Sequence, residues 1–109
     1  MSDYVEARVT TRRAPIDPNT RNYRPHLVVK PAGTYLGVCF VAGPPSVEPG
    51  TEAPVILDLM YPGVDYGALV PGATFEIREG PNTVGEGTVV RRLADLPSRF
   101  EASAGENLV

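Results

Sequence analysis

Residues 75–90 read FEIREGPNTVGEGTVV. Phe75 and Ile77 alternate with Glu76 and Arg78, giving one apolar and one charged face, the period of a half-buried strand. Glu79, Gly80, Pro81 and Asn82 supply a turn, and a second strand follows with Val84, Thr88, Val89 and Val90, all favourable in sheets. That second strand carries Gly85 and Gly87 on one face. Glycine weakens a strand unless something uses its missing side chain. Either the strand kinks there, or a backbone or large ring comes close, or this is an exposed and tolerant strand end.

Upstream, the chain offers more strands of the same kind. Residues 4–11, YVEARVTT, set Val5, Ala7 and Val9 against Glu6, Arg8 and Thr10. Residues 12–23 hold two prolines and three arginines and read as a loop. Leu27 to Lys30 is a short strand, Gly33 lies in a turn, and 35–41 reads as one mostly buried strand. Pro49-Gly50 fits a type II turn. In PVILDLM, residues 54–60, Val55, Leu57 and Leu59 share one face and Ile56, Asp58 and Met60 the other. Residues 61–72 form a long loop of Pro, Gly and Tyr. No segment shows a capped helical stripe, although 93–99 could make one turn before Pro97 ends it. About six short strands in proline- and glycine-rich surroundings give an all-β domain, a small barrel or sandwich, over 1–94, with a loose polar tail at 95–109.

A length of 109 residues suits one domain with one core. Apolar residues are 42% and charged residues 21%, which excludes a disordered composition. The net charge is −3, the reverse of a generic nucleic-acid binder. Nine of the ten basic residues are Arg, so the pairs Arg12-Arg13 and Arg91-Arg92 are either small basic patches or solvated strand ends. Cys39 is the only cysteine and sits in an apolar run, so it is expected to be buried and inert. No apolar run is long enough for a membrane-crossing helix and the start does not look like a signal peptide, so a cytoplasmic location is expected.

Catalytic signatures are lacking. His26 is the only histidine, too little with one cysteine for a zinc site. No motif joins His26 to Ser46, Ser98 or Ser103, there is no phosphate-binding glycine loop, and carboxylate pairs such as Glu76/Glu79 and Glu48/Glu52 read as solvated charges. We therefore expect no enzyme, no cofactor and no metal. His26 itself is either a contact for a phosphate or carboxylate or an ordinary strand-edge residue.

The quoted hairpin resembles the closing hairpin of the C-terminal domain, domain III, of elongation factor Tu. Phe75, Ile77, Arg78, Glu79, Gly80, Thr83, Val84, Gly85, Gly87 and Val89 match that family's pattern without a gap. Tyr23-Arg24-Pro25 resembles its Tyr-Arg-Pro, and residues 47–62 and 4–9 resemble further stretches in the same order, so the likeness spans roughly 4–93. It implies a six-stranded antiparallel β-barrel, Greek-key-like, that packs on other domains, contacts the T stem of aminoacyl-tRNA and is bound by a nucleotide exchange factor. This chain carries no GTP-binding motif, so no GTP binding is expected of it. The family's first loop is replaced by RRAPIDPNTRN, with Arg12, Arg13 and Arg21 as substitutes for its arginine. Its Gln position is His26 and its Thr position Ala32, while Gly80 is kept.

The barrel residues match and the tRNA contacts have drifted. This points to a protein-binding module in a translation-related context, with Tyr23, Arg24, His26, Tyr61, Tyr66, Arg78, Glu79 and Gly80 as partner-binding residues. Tyr23, Tyr61 and Tyr66 are either interface anchors or barrel-end packing. One form of such a module is an immunity or antitoxin protein that neutralises a toxin. The second reading is a stand-alone module for tRNA or ribosomal RNA, led by Arg24, Arg78, Arg91 and Arg92. The third is a structural adaptor in a larger assembly.

Overall fold

The structure is a computed structural model that describes residues 3–13, 15–31 and 33–96. Seven strands form a single antiparallel sheet: β1 (Asp3–Thr11), β2 (His26–Val28), β3 (Tyr35–Gly37), β4 (Cys39–Ala42), β5 (Ala53–Leu59), β6 (Thr74–Glu79) and β7 (Asn82–Leu93). Their order across the sheet is β3-β2-β6-β7-β1-β5-β4. No α-helix occurs among the described residues. Ala32, residues 97–99 of the expected final turn, and most of the tail lie outside the described residues.

The expected count of six strands is corrected to seven. The run from Tyr35 to Val41 is divided at Val38 because it changes partners there. Tyr35–Gly37 pairs with β2, and Cys39–Ala42 pairs with β5. The two outer strands of the sheet are thus consecutive pieces of chain. The Val38 amide donates to the Pro25 carbonyl at 3.1 Å, and the Phe40 amide to the Tyr23 carbonyl at 3.0 Å. The strand that borders β5 therefore still bonds to the chain leading into β2.

The sheet curls around one principal core. Val5, Ala7 and Val9 of β1, Leu27, Phe40, Val55 and Leu57, Ile77 and Val89 all meet there. Alternation along each strand turns these residues inward, and each large one buried contributes about 1.5–3 kcal/mol. Tight curling brings strands and side chains close where β7 passes between β1 and β6. A Cβ on Gly87 would lie 2.6 Å from Phe75 Cζ and 2.7 Å from the Arg8 carbonyl oxygen. One on Gly85 would lie 2.5 Å from the Thr10 carbonyl oxygen. The two glycines accordingly admit both a ring and a neighbouring backbone. An extra residue in β7 shifts the register between Ile77 and Arg78, a bulge that adds local twist.

A second, smaller cluster lies on the opposite face of β4 and β5. Cys39, Val41, Ala42 and Ile56 are packed with Tyr4, Met60, Leu93 and Leu96. Cys39 is buried, as its apolar run suggested, and its thiol donates to the Arg21 carbonyl at 3.4 Å. The loop between β1 and β2 is pinned over this region. It contains a single 3-10 turn, Pro18–Thr20, capped by Asp17, whose side chain accepts from the Asn19 amide. Asp before Pro at the first helical position is a start signal for such a turn.

Candidate functional site

The expected binding residues fall into two groups on and beside the β6–β7 hairpin. The hairpin turns at Gly80, whose φ of +61° suits the first position of a two-residue type II′ turn. Along β6, Arg78 and Glu76 point outward, while Glu79 falls on the alternate side with Ile77 and Phe75. The strand thereby separates the residues into an outer face and an end of the curled sheet.

On the outer face, His26 stands between Gly37 and Arg78, its partners on β3 and β6. The Tyr61 ring lies against the backbone at Gly37, where a Cβ would come 2.5 Å from Tyr61 Cε2. On the neighbouring row Tyr35 sits beside His26, with ring centroids 5.4 Å apart. Both tyrosines are open to solvent, Tyr61 by 49% and Tyr35 by 41%. Arg78 is fixed in place. Its guanidinium lies over the Tyr35 ring, 5.7 Å from the centroid, and donates to the Tyr35 hydroxyl at 3.1 Å. It also donates from Nε and Nη2 to Glu76 Oε1, at 3.0 and 2.6 Å. The hydrogen bond from Arg78, assisted by the charge of Lys30, holds the Glu76 carboxyl below its usual pKa.

At the end of the sheet, Tyr23, Glu79 and Arg13 form a latch. The Tyr23 hydroxyl donates to Glu79 Oε2 at 2.5 Å, and Arg13 Nη1 donates to the same oxygen at 2.6 Å. The Arg13 guanidinium lies 5.0 Å over the Tyr23 ring, and that ring meets Phe40 edge-on at 5.0 Å. Burial, with the carboxylate next, raises the Tyr23 pKa far above its ordinary value. These contacts tie the first loop to the closing hairpin. Glu79 and Tyr23 are thus engaged with each other inside the molecule, and Arg24 beside them is exposed with no ion-pair partner among the described residues.

Tyr66 is placed as packing. It is 8% exposed, its hydroxyl donates to the Gly37 carbonyl at 2.7 Å, and it accepts from the Tyr61 amide at 3.2 Å. Its role is to hold the 61–72 loop so that Tyr61 lies on Gly37. Tyr61, His26 and Arg78 are brought together on one face; Tyr23, Glu79 and Gly80 gather at the end; Tyr66 lies beneath Tyr61.

Sequence reasoning passed over Tyr35, took Glu76 as a solvated charge, and weighed Arg13 as a basic-patch or RNA-contact residue, not as the partner of Glu79 and Tyr23. Tyr35 shows its signal only once register is known, since Val28 opposes it and the outward face follows. Glu76 and Glu79 read as an unremarkable acidic pair because their three-residue spacing conceals that they serve opposite sides of one strand. Arg91 donates to Glu6 at 2.6 Å, Arg92 approaches Asp3 at 3.3 Å, and Arg12 lies 3.7 Å from Glu86. Among the described residues no group of three His, Cys, Asp or Glu side chains could hold a metal ion, and no helix is long and apolar enough to cross a membrane. No protein-family model matches the chain.

Proposed function

We propose that this chain is a non-catalytic protein-binding module, and that Tyr61, Tyr35, His26 and Arg78 form the face that meets the partner. The observation that carries the reading is the pair of exposed tyrosines flanking His26, one laid on a glycine and the other stacked by a fixed arginine. Tyrosine and arginine dominate the energetics of protein interfaces, and both are held here at little further entropic cost. Arg24, two residues before His26, is an exposed cation.

The scaffold of the proposal is a closed barrel like the C-terminal domain of elongation factor Tu. Its support is the continuity of β3 and β4 across Val38, which lets the outer strands act as one. On this reading the context is translation and the location cytoplasmic, and an immunity protein that blocks a toxin is one form it takes. The RNA-binding alternative loses support because Arg78, Arg91 and Arg92 each already face a carboxylate. Arg24 and Arg8 stay unpaired among the described residues, but such cations on an acidic chain draw few phosphates.

The test is partner capture by tagged wild-type and variant chains. Tyr61→Ala with Tyr35→Ala is expected to weaken binding at least about thirtyfold, the loss of one hot spot or more. Arg24→Glu is expected to change capture of the protein partner by less than about tenfold, as an exposed charge does. Retained binding in the double tyrosine variant would refute the assignment of this face.

A further inference from the structure

The outward surface continues from Tyr35 and Glu76 across β7 and β1, around a groove of about 400 Å³. Register places its side chains in two rows. Glu76, Glu86 and Thr10 follow one another across β6, β7 and β1, and Thr74, Thr88 and Arg8 do so in the next row. The threonines are short and keep the groove open between longer charged neighbours. Like charges directly opposite on adjacent strands disfavour the sheet, and Glu76 faces Glu86 in that way. Glu76 is relieved by Arg78 and Lys30. Among the described residues Glu86 has only Arg12, at 3.7 Å, with both side chains about two-thirds exposed at 63% and 68%. Solvent screens such a pair to little worth. Arg8, at the other side of the groove, has no ion-pair partner among the described residues.

We infer that this face docks an extended segment of a partner protein, bearing a lysine or arginine over the Glu76–Glu86 pair and, two residues along, an aspartate or glutamate beside Arg8. The inference rests on the protein-binding reading and adds the chemistry of the partner. Adjacent rows on a strand are about 6.7 Å apart, the same spacing as alternate side chains of an extended segment; Arg8 stands one strand across from Glu86, about 4.8 Å to the side, an offset that its long side chain can span. The cation would satisfy Glu86, whose one ion pair is long and exposed, and Glu52, which lines the same groove without an ion-pair partner among the described residues; the anion would satisfy Arg8. A phosphate backbone would instead be set against the three carboxylates of Glu52, Glu76 and Glu86, which favours a protein over a nucleic acid at this face.

The experiment titrates the isotopically labelled full chain with two capped peptides and follows its amide resonances. The first is Thr-Thr-Lys-Val-Glu-Thr-Thr and the second Thr-Thr-Glu-Val-Glu-Thr-Thr. The first is expected to shift Arg8, Thr10, Glu76, Glu86 and Thr88 in a saturable manner, and the second to leave them in place. In Glu86→Lys the first peptide should bind more than about tenfold more weakly and the second should now bind, a gain that misfolding cannot produce. Shifts from neither peptide, equal shifts from both, or no exchange of preference in Glu86→Lys would overturn the inference. A captured partner lost on Tyr61→Ala but indifferent to Glu86→Lys would overturn it while leaving the protein-binding reading intact.

Discussion

A methyl group on Gly87 would stand 2.6 Å from Phe75 and 2.7 Å from the Arg8 carbonyl, and one of those neighbours is backbone that cannot step aside. Gly87→Ala is therefore expected to cost about 1–3 kcal/mol in urea unfolding, the range for overpacking a filled core. Gly63, with nothing within 4 Å of its would-be Cβ, is the control: Gly63→Ala should change stability by no more than about 1 kcal/mol. Tyr23 gives a second residue-scale expectation. Removing its hydroxyl in Tyr23→Phe leaves Glu79 with Arg13 alone and should cost about 1 kcal/mol. The raised pKa of Tyr23 fixes the sign with pH. Its folded-state pKa lies above the ordinary 10.0, so its stabilisation is complete below pH 10.0 and declines as pH rises beyond that. The stability gap between wild type and Tyr23→Phe should narrow between pH 9 and 11, and a gap that widened would contradict the hydrogen-bonded neutral phenol. The two glycines announced a special site in the sequence. The atoms that require them come from β1 and β6, and β1 lies too far along the chain for spacing to reveal it.

At the scale of elements, alternation was enough to place six stretches of strand and to assign their inward faces. Val5, Ala7, Val9, Val55, Leu57 and Ile77 all lie where period two puts them. It did not divide the run at Val38, because a change of strand partner leaves no mark on hydrophobic pattern. The 3-10 turn in the first loop had a local signal in Asp17-Pro18, masked by the prolines and arginines around it. If the run from Tyr35 to Ala42 joins both sides of the sheet as one strand, its hydrogen bonds open only when the whole sheet opens. The Val38 and Phe40 amides, bonded to Pro25 and Tyr23, are then expected to exchange with solvent as slowly as core amides of β1 and β5. Exchange in these two amides at the rate of loop positions would show that the outer strands part independently, and would remove the support for a closed barrel.

For the molecule as a whole, charge bears on the choice of partner. The chain carries −3 overall, and Arg13, Arg78, Arg91 and Arg92 are each set against a carboxylate, the last two across strands. Composition revealed the acidic balance but not the pairing, which depends on residues brought together by register, as Arg91 is with Glu6. The exposed tyrosines likewise became a face only when β3, β2 and the 61–72 loop were assembled. The outward face carries exposed tyrosines at one end and a grooved, mixed-charge stretch beside them, and the proposal assigns both to a protein partner. The measurement that tests this most directly is capture by the tagged chain from its native host at moderate salt, divided in two, with one half treated with RNase. The account expects a single protein to co-purify in both halves at equal yield. Co-purification of RNA that rising salt strips away, with any protein lost on RNase treatment, would contradict it.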